Sequence, residues 1–134
     1  MAADGLTTLQ SRFSPQETLL KLEAAVKAGG MAVFARVDHA AAAADVGLAL
    51  RPTELVIFGN ARGGTPLMQS DQTMGIDLPL KALIWQDAAG KTWLSYNDPG
   101  WLVNRHGMGR EMDATVATLS AALSAVAKAA TTSP

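Results

Sequence analysis

The stretch that decides the fold is 80–97, with the sequence LKALIWQDAAGKTWLSYN. It holds two apolar-rich segments separated by turn residues at 87–90, a pattern typical of a β-hairpin. Side chains alternate between the two faces of a strand. The second strand therefore places three side chains on one face: Trp93, Ser95 and Asn97. Leu94 and Tyr96 are predicted on the other face.

Three earlier segments extend this hairpin into a sheet. Residues 6–13 alternate loosely, 31–37 follow a Gly-Gly pair, and 54–58 follow a proline. The last of them contains the continuous run LVIF, which predicts a central strand covered on both faces. Together with the hairpin, these segments predict about five strands.

Two main helices are predicted at opposite ends of the chain. Ser14 before Pro15 is a strong helix start, and Gly29-Gly30 ends that helix. The second helix covers about 111–130 and has an apolar stripe on one side. Its outer side carries mostly Ala, Ser and Thr, so we expect it to lie against a partner subunit.

Shorter helices are predicted in the connections. Asp38 caps a turn of helix at 40–46, Thr65 caps a helix that runs to Gly75, and 98–107 forms a third. The expected fold class is α+β: a mostly antiparallel sheet of about five strands packed against two main helices, with short capped helices in the connections. The 134 residues match one domain, 1–134, with a frayed tail at 131–134.

Composition excludes several classes of function. The net charge is −1 and the eleven basic residues are scattered, so nucleic acid is not an expected partner. The chain has no cysteine, which excludes disulfides and thiolate metal sites. The apolar run at 55–58 is far too short for membrane insertion. This composition is compatible with the cytoplasm and, after removal of a signal peptide, with the periplasm.

Two histidines are candidate site residues. His39 follows Asp38 where a strand passes into a helix, so it can act as a base or a ligand, whereas Asp38 is also explained as a helix cap. His106 lies in the last turn of a helix, where the helix dipole also favours it. If both imidazoles meet Asp38 or Asp98 in space, they can bind a divalent metal.

A second set of candidates lies at strand ends. Lys81 interrupts an apolar strand and either faces solvent or points into a pocket. With Tyr96 and Asn97 across the hairpin, it can form a clamp for an anion or a carbonyl group. Asn60 lies in the glycine-rich segment 59–65, which leads into a helix but lacks the Gly-Lys-Ser/Thr ending of a phosphate-binding loop.

Several short motifs occur in a characteristic order: RVDHA at 36–40, LRP at 50–52, GTPLM at 64–68, LPLK at 78–81, WLSYNDP at 93–99 and RHG at 105–107. Over about 11–108 the chain resembles the family called domain of unknown function 302. It departs from that family at Ala61, where a proline is usual. The resemblance implies a β-α-β4-α fold similar to that of the TATA-box-binding protein, often as a homodimer. It implies no catalytic residue and no cofactor.

Three functions remain open from the sequence. The first is a small-ligand-binding or sensory module with a pocket between the sheet and 59–78. The residues expected around that pocket are Asp38, His39, Asn60, Lys81 and Tyr96. The second is a metal-assisted or acid/base enzyme that uses His39 and His106. The third is an assembly module that forms a homodimer.

Overall fold

The computed structural model describes residues 3–132. Its five strands are β1 (Leu6–Ser11), β2 (Ala32–Asp38), β3 (Thr53–Gly59), β4 (Leu80–Gln86) and β5 (Thr92–Asn97). They form one sheet in the order β1-β5-β4-β3-β2, and every neighbouring pair is antiparallel. The predicted hairpin is confirmed as β4 and β5. The predicted α+β class with a five-stranded antiparallel sheet is confirmed as well.

The helices are α1 (Pro15–Ala28), α2 (His39–Asp45), α3 (Ala61–Ser70), α4 (Pro99–Arg105) and α5 (Asp113–Thr132). Two short 3-10 helices, Gln72–Asp77 and Arg110–Met112, complete the described elements. The start of α1 is as predicted: the Ser14 hydroxyl accepts a hydrogen bond from the backbone N–H of Glu17, and Pro15 is the first helical residue.

The core lies on one side of the sheet. Helices α1 and α5 pack against each other, and they contact β4 and β1, respectively. Alternate strand residues point toward these helices, and Val56, Phe58 and Leu94 are fully buried there. Leu22 of α1 and Leu123 of α5 fill the space between the helices and the sheet. Burial of these side chains supplies the main free energy that stabilises the fold.

The other side of the sheet is less covered than the sequence predicted. Leu55 and Ile57 of β3 are half-buried, whereas their neighbours Val56 and Phe58 are buried against the helices. The expectation that the LVIF run is covered on both faces is therefore wrong. An antiparallel sheet needs helices on only one face, and α1 and α5 both pack on the same face here.

The segment after β3 differs from its prediction at both ends: α3 ends at Ser70, and a separate 3-10 helix, Gln72–Asp77, covers the predicted end at Gly75. Helix α3 begins at Ala61, because the Asn60 side-chain oxygen accepts a hydrogen bond from the Gly63 N–H at 2.7 Å. The predicted cap at Thr65 is wrong, and Pro66 lies inside the helix. Glycine lowers helix propensity but does not prevent a helix, so a good cap upstream decides where the helix begins.

Helix α5 ends two residues later than predicted. It continues to Thr132, and Thr131 is buried with its hydroxyl donating to the Ala127 carbonyl at 2.8 Å. The backbone carbonyl of Thr131 also accepts a hydrogen bond from the Arg12 N–H at 3.0 Å. The predicted fraying is thus wrong for Thr131 and Thr132. The last two residues of the predicted tail lie outside the described residues.

One described helical stretch, 110–132, is long and apolar enough to cross a membrane by length and composition alone. A third of its most apolar 18-residue segment is buried inside the protein. Its buried side chains, such as Leu119, Leu123 and Val126, belong to the core beside the sheet. A core helix passes the same test, so this stretch is weak evidence for membrane insertion.

Two leucines in α1 test the one-sided core. Leu22 is completely buried, whereas Leu20 is 60% exposed on the same helix. We expect Leu22→Ala to lower the free energy of unfolding by about 2–5 kcal/mol, because it leaves a cavity. Leu20→Ala should change it by less than about 0.5 kcal/mol. Denaturant unfolding of both variants measures this, and equal losses would contradict the assigned packing.

Candidate functional site

The side of the sheet away from the helices forms a shallow cavity of about 650 Å³, which we call the open face. Nine strand residues line it: Leu6, Thr8, Leu55, Lys81, Leu83, Trp85, Trp93, Ser95 and Asn97. They come from four adjacent strands, and Ala3 and Tyr96 also border the cavity. The open face is thus an apolar surface with one ammonium group and a few hydroxyl and amide groups.

Two tryptophans form the floor at one end of the open face. Trp85 and Trp93 are paired across β4 and β5, and their rings stack with centroids 6.0 Å apart. The Trp85 indole N–H donates to the Ser95 hydroxyl at 3.0 Å, and that hydroxyl lies 2.8 Å from the Thr8 hydroxyl. Side-chain hydrogen bonds therefore connect three strands and fix the orientation of Trp85.

The hairpin turn fixes the second tryptophan. The Trp93 indole N–H donates to the Asp87 carboxylate at 2.8 Å. The same carboxylate accepts hydrogen bonds from the backbone N–H groups of Ala89 and Lys91, each at 2.9 Å. The hydrogen bond from Trp93 is the main reason why the pKa of Asp87 lies below its ordinary value, and the backbone hydrogen bond from Lys91 adds to it.

Lys81 is the charged residue among the lining side chains. It is half-buried and lies opposite Ile57 of β3 in the register. Within residues 3–132, no carboxylate lies at ion-pair distance from its ammonium group. Asn97 belongs to the same face one strand away, because the pairing of Ala82 with Tyr96 places their neighbours Lys81 and Asn97 together.

The predicted clamp is only partly formed. Lys81 and Asn97 share the open face, but the Tyr96 side chain packs against the core on the other face of the sheet. The alternation that separates Tyr96 from Asn97 was visible in the sequence. A clamp that uses consecutive residues of one strand requires a bulge, and the register of β4 and β5 is regular.

The remaining sequence candidates lie elsewhere. Asp38 caps α2, with its carboxylate accepting from the Ala41 N–H at 2.9 Å, and His39 is exposed as the first residue of that helix. Asp38 borders a separate polar cleft with Arg36 and Glu54. Asn60 caps α3 beside an apolar cavity. The expected pocket that joins all five candidates is therefore divided among different places.

His106 forms a cluster that sequence reasoning missed. Its Nε2 lies 2.6 Å from the Asp77 carboxylate, and its Nδ1 lies 2.8 Å from the Thr73 hydroxyl. Arg105 also donates to Asp77, at 3.0 Å to both carboxylate oxygens. These contacts join the Gln72–Asp77 helix to the end of α4. No local sequence signal marks them, because the partners are 28 to 33 residues apart.

The His106 cluster connects a hydroxyl, an imidazole and a carboxylate in series. Its hydrogen bonds nevertheless favour a structural role, in which the cluster joins the Gln72–Asp77 helix to α4. The Thr73 hydroxyl also donates to Asp71, at 2.7 Å, so its single proton is used there. Each ring nitrogen of His106 thus contacts one side chain, Thr73 or Asp77, and these two contacts fix the orientation of the imidazole. The Thr73 hydrogen bonds, with a smaller effect of the His106 charge, lower the pKa of Asp71. None of these side chains lines the open face.

The metal hypothesis gains no support from the geometry. Across the described part of the chain, no group of three or more His, Cys, Asp or Glu side chains is arranged to hold a metal ion. His106 uses both ring nitrogens in the contacts with Thr73 and Asp77. His39 lies exposed at the start of α2.

Comparison with known proteins first defines the class of fold. A solved structure described as an uncharacterized conserved protein DUF302 from Bacillus stearothermophilus superposes with a TM-score of 0.86 at 20% identity. The match covers 96% of this chain and 99% of the other. The two proteins therefore share one α+β fold.

The family follows from the sequence. The profile of the family described as "Domain of unknown function DUF302" matches residues 7–126. The chain belongs to the DUF302 family, as the resemblance implied. The match extends beyond the predicted 11–108 and includes most of α5.

Two curated relatives are longer proteins. The chain is 48% identical over 124 residues to "Fluoride-specific ion channel FluC 1" of Brucella suis biovar 1 (strain 1330). It has the same identity to the protein of that name from Brucella abortus biovar 1 (strain 9-941). These matches cover 92% of this chain but 49% and 46% of the relatives, respectively. The chain thus spans about half the length of the curated relatives it matches.

The Asp87 carboxylate makes a pH-dependent contribution to stability. A carboxylate whose pKa is lowered on folding stabilises the fold above its unfolded-state pKa, near 3.8, and this contribution disappears as the pH falls through the lower folded-state pKa. We expect Asp87→Asn to reduce stability at pH 7 and to reduce the loss seen on acidification. Denaturant unfolding between about pH 2 and pH 7 measures this. The control is Asp45→Asn at an exposed site, and identical pH profiles for the two variants would contradict the assignment.

Proposed function

We propose that this chain is a ligand-binding module that takes a small anionic molecule with an aromatic body on its open face. One observation carries this proposal: the Lys81 ammonium group lies on an apolar surface without a carboxylate partner among residues 3–132. The proposal keeps the small-ligand hypothesis from the sequence. It replaces the expected pocket beside 59–78 with the open face.

The charge of Lys81 favours an anion. A partly desolvated ammonium group without a counter-ion loses hydration free energy that an anionic ligand would restore. Hydrogen bonds to a charged group contribute about 1.5–3 kcal/mol, more than those between neutral groups. Asn97, beside Lys81, adds an amide that can donate to the same ligand oxygen.

The rest of the open face suits an aromatic body. Trp85 and Trp93 are held in place by Ser95 and Asp87, so their rings lose little freedom when a ligand stacks on them. The cavity volume of about 650 Å³ falls within the usual range for small-molecule sites. Leu55 and Leu83 extend the apolar surface between the tryptophans and Lys81.

A second copy of the chain is the competing occupant of this face. Homodimerisation was expected from the family resemblance, and a half-buried apolar face could serve it. A two-fold axis that runs along β4 would bring Lys81 close to the Lys81 of the other copy, and like charges there oppose association. The exposed side of α5 carries small residues such as Ala117 and Ala121, which identify no partner by themselves.

A pair of fluorescent probes tests the charge of the site. 1-Anilinonaphthalene-8-sulfonate is anionic, and N-phenyl-1-naphthylamine is its uncharged counterpart. We expect Lys81→Met to weaken binding of the anionic probe about tenfold or more and to leave the uncharged probe within about twofold, because only the charge contact is lost. Fluorescence titration measures both dissociation constants.

The matched control is Lys91→Met, which removes a lysine from the exposed hairpin turn. Equal effects of the two lysine variants, or equal loss for both probes, would refute the proposed anion site. Sedimentation equilibrium supplies a further check. A dimer that dissociates in proportion to probe binding would assign the open face to a second copy of the chain.

A second candidate function comes from the relatives named as fluoride-specific ion channels. We propose that a module of this kind works together with a fluoride channel and senses a ligand for it. The supporting observation is the 48% identity over one half of those proteins. Family membership alone does not assign this role, because one fold hosts many functions.

Fluoride efflux from liposomes tests this role. The full-length Brucella suis relative should be compared with a deletion of the half that matches this chain. We expect the deletion to change the efflux rate at least about twofold while fluoride remains preferred over chloride. Size-exclusion chromatography of the shortened protein confirms that it stays assembled. An unchanged rate in an assembled protein would remove the companion role.

A further inference from the structure

We propose a second ligand site: an apolar cavity of about 290 Å³ beneath α3 that takes an uncharged hydrocarbon group. We call it the α3 cavity. Six of its lining residues determine its shape and apolar character: Phe34, Gly64, Met68, Gly75, Leu78 and Leu119. They come from β2, α3, the following 3-10 helix, the segment before β4, and α5. This site shares no lining residue with the open face.

The lining chemistry selects an uncharged ligand. No charged side chain lines the α3 cavity. Asn60 supplies the polar side chain at its edge, and its oxygen already accepts the 2.7 Å hydrogen bond that caps α3. A charged ligand would lose its hydration here without gaining a partner, which is strongly unfavourable. An aliphatic or aromatic hydrocarbon group meets no such cost.

Two glycines leave the cavity open. A Cβ at Gly64 would lie 3.3 Å from Cδ1 of Leu78 and 3.9 Å from Cε of Met68. A Cβ at Gly75 would lie 3.4 Å from Sδ of Met68. Glycine inside a helix is less stable than alanine, and unfilled apolar space in a protein is also unfavourable. Both destabilising features occur together at this cavity. An apolar ligand would fill the empty space and so offset the free-energy cost of that space.

The walls of the α3 cavity can adapt to a ligand. Met68 has a flexible side chain that fits irregular apolar shapes. Phe34 is 57% exposed at the mouth, where the pairing of β2 with β3 shifts register. Helix α3 is anchored by one buried residue, Leu67, and contains Pro66, which removes one helical hydrogen bond. Changes in the side-chain conformations of Met68 and Phe34 can therefore admit a ligand.

The volume bounds the size of the ligand. An apolar cavity of about 150 Å³ is enough to bind benzene. At about 290 Å³, the α3 cavity has room for a substituted ring or a short chain, on the order of seven to ten carbons. Toluene is a suitable probe, because it is uncharged and has no hydrogen-bonding group.

Methyl NMR with toluene tests the proposal. The side-chain methyl signal of Met68 should shift on titration, together with the methyl signals of Leu78 and Leu119. The double variant Gly64→Ala/Gly75→Ala narrows the cavity and should weaken toluene binding about tenfold or more. Gly75→Ala alone makes only an ordinary contact with Met68 and should weaken toluene binding less than the double variant does. This single variant still tests the proposal if the double variant unfolds.

The matched control is Gly100→Ala in α4, where the added Cβ meets only Val116 at 3.6 Å. It raises helix propensity in the same way but adds nothing to the α3 cavity, so toluene binding should stay unchanged. Toluene shifts that avoid Met68, or that persist undiminished in the double variant and in Gly75→Ala, would overturn the proposal.

The proposals for the two sites can be refuted independently, because each variant should affect only one of them. Lys81→Met should leave toluene binding unchanged, because the α3 cavity contains no lysine. Gly64→Ala/Gly75→Ala should leave binding of the anionic naphthalene probe unchanged. If Lys81→Met weakened toluene binding to the same degree, both ligands would occupy the open face and the α3 cavity would not be a site.

Discussion

The packing of α1 and α5 on the same face of the sheet is the constraint on which the rest of the structure depends. Both helices bury their apolar sides against Val56, Phe58, Leu94 and their neighbours, and no helix of the described part of the chain lines the open face. Alternation along β3, β4 and β5 then divides the side chains into a buried set and a half-buried set. An antiparallel sheet tolerates this division because water can hydrate its exposed side. Here, however, the exposed side is mainly apolar, which is unusual for a surface meant to face only water.

The same constraint separates two kinds of chemistry. On the open face, the tryptophans are fixed by hydrogen bonds to Ser95 and Asp87, and Lys81 supplies a positive charge that has no carboxylate partner among the described residues. After β3, α3 and the following 3-10 helix each place one glycine, Gly64 and Gly75, in the wall of the α3 cavity, whose lining is uncharged. The His106 cluster stabilises the segment that follows α3, because its hydrogen bonds hold the Gln72–Asp77 helix against α4. We interpret it as a structural contact between the Gln72–Asp77 helix and the end of α4.

Local patterns in the sequence predicted most of the fold. The hairpin at 80–97, the Ser14-Pro15 helix start and the Asp38 cap each depend on residues within a few positions of one another, and all three are confirmed. The alternation in 93–97 also placed Asn97 opposite Tyr96, so the clamp hypothesis conflicted with the strand pattern itself. The start of α3 was missed because Asn60 caps a helix with two glycines among its first four residues, against ordinary helix propensity. The His106 cluster was missed because its partners meet only through tertiary packing.

The indole N–H signals of the three tryptophans provide the most direct test of the account. Trp85 and Trp93 lie on the open face, whereas Trp101 is 43% exposed on α4 and does not line it. During NMR titration with 1-anilinonaphthalene-8-sulfonate, we predict that the Trp85 and Trp93 signals shift together while the Trp101 signal stays in place. A shift of the Trp101 signal alone, or saturable probe binding that moves none of the three, would contradict the claim that the open face is the ligand site.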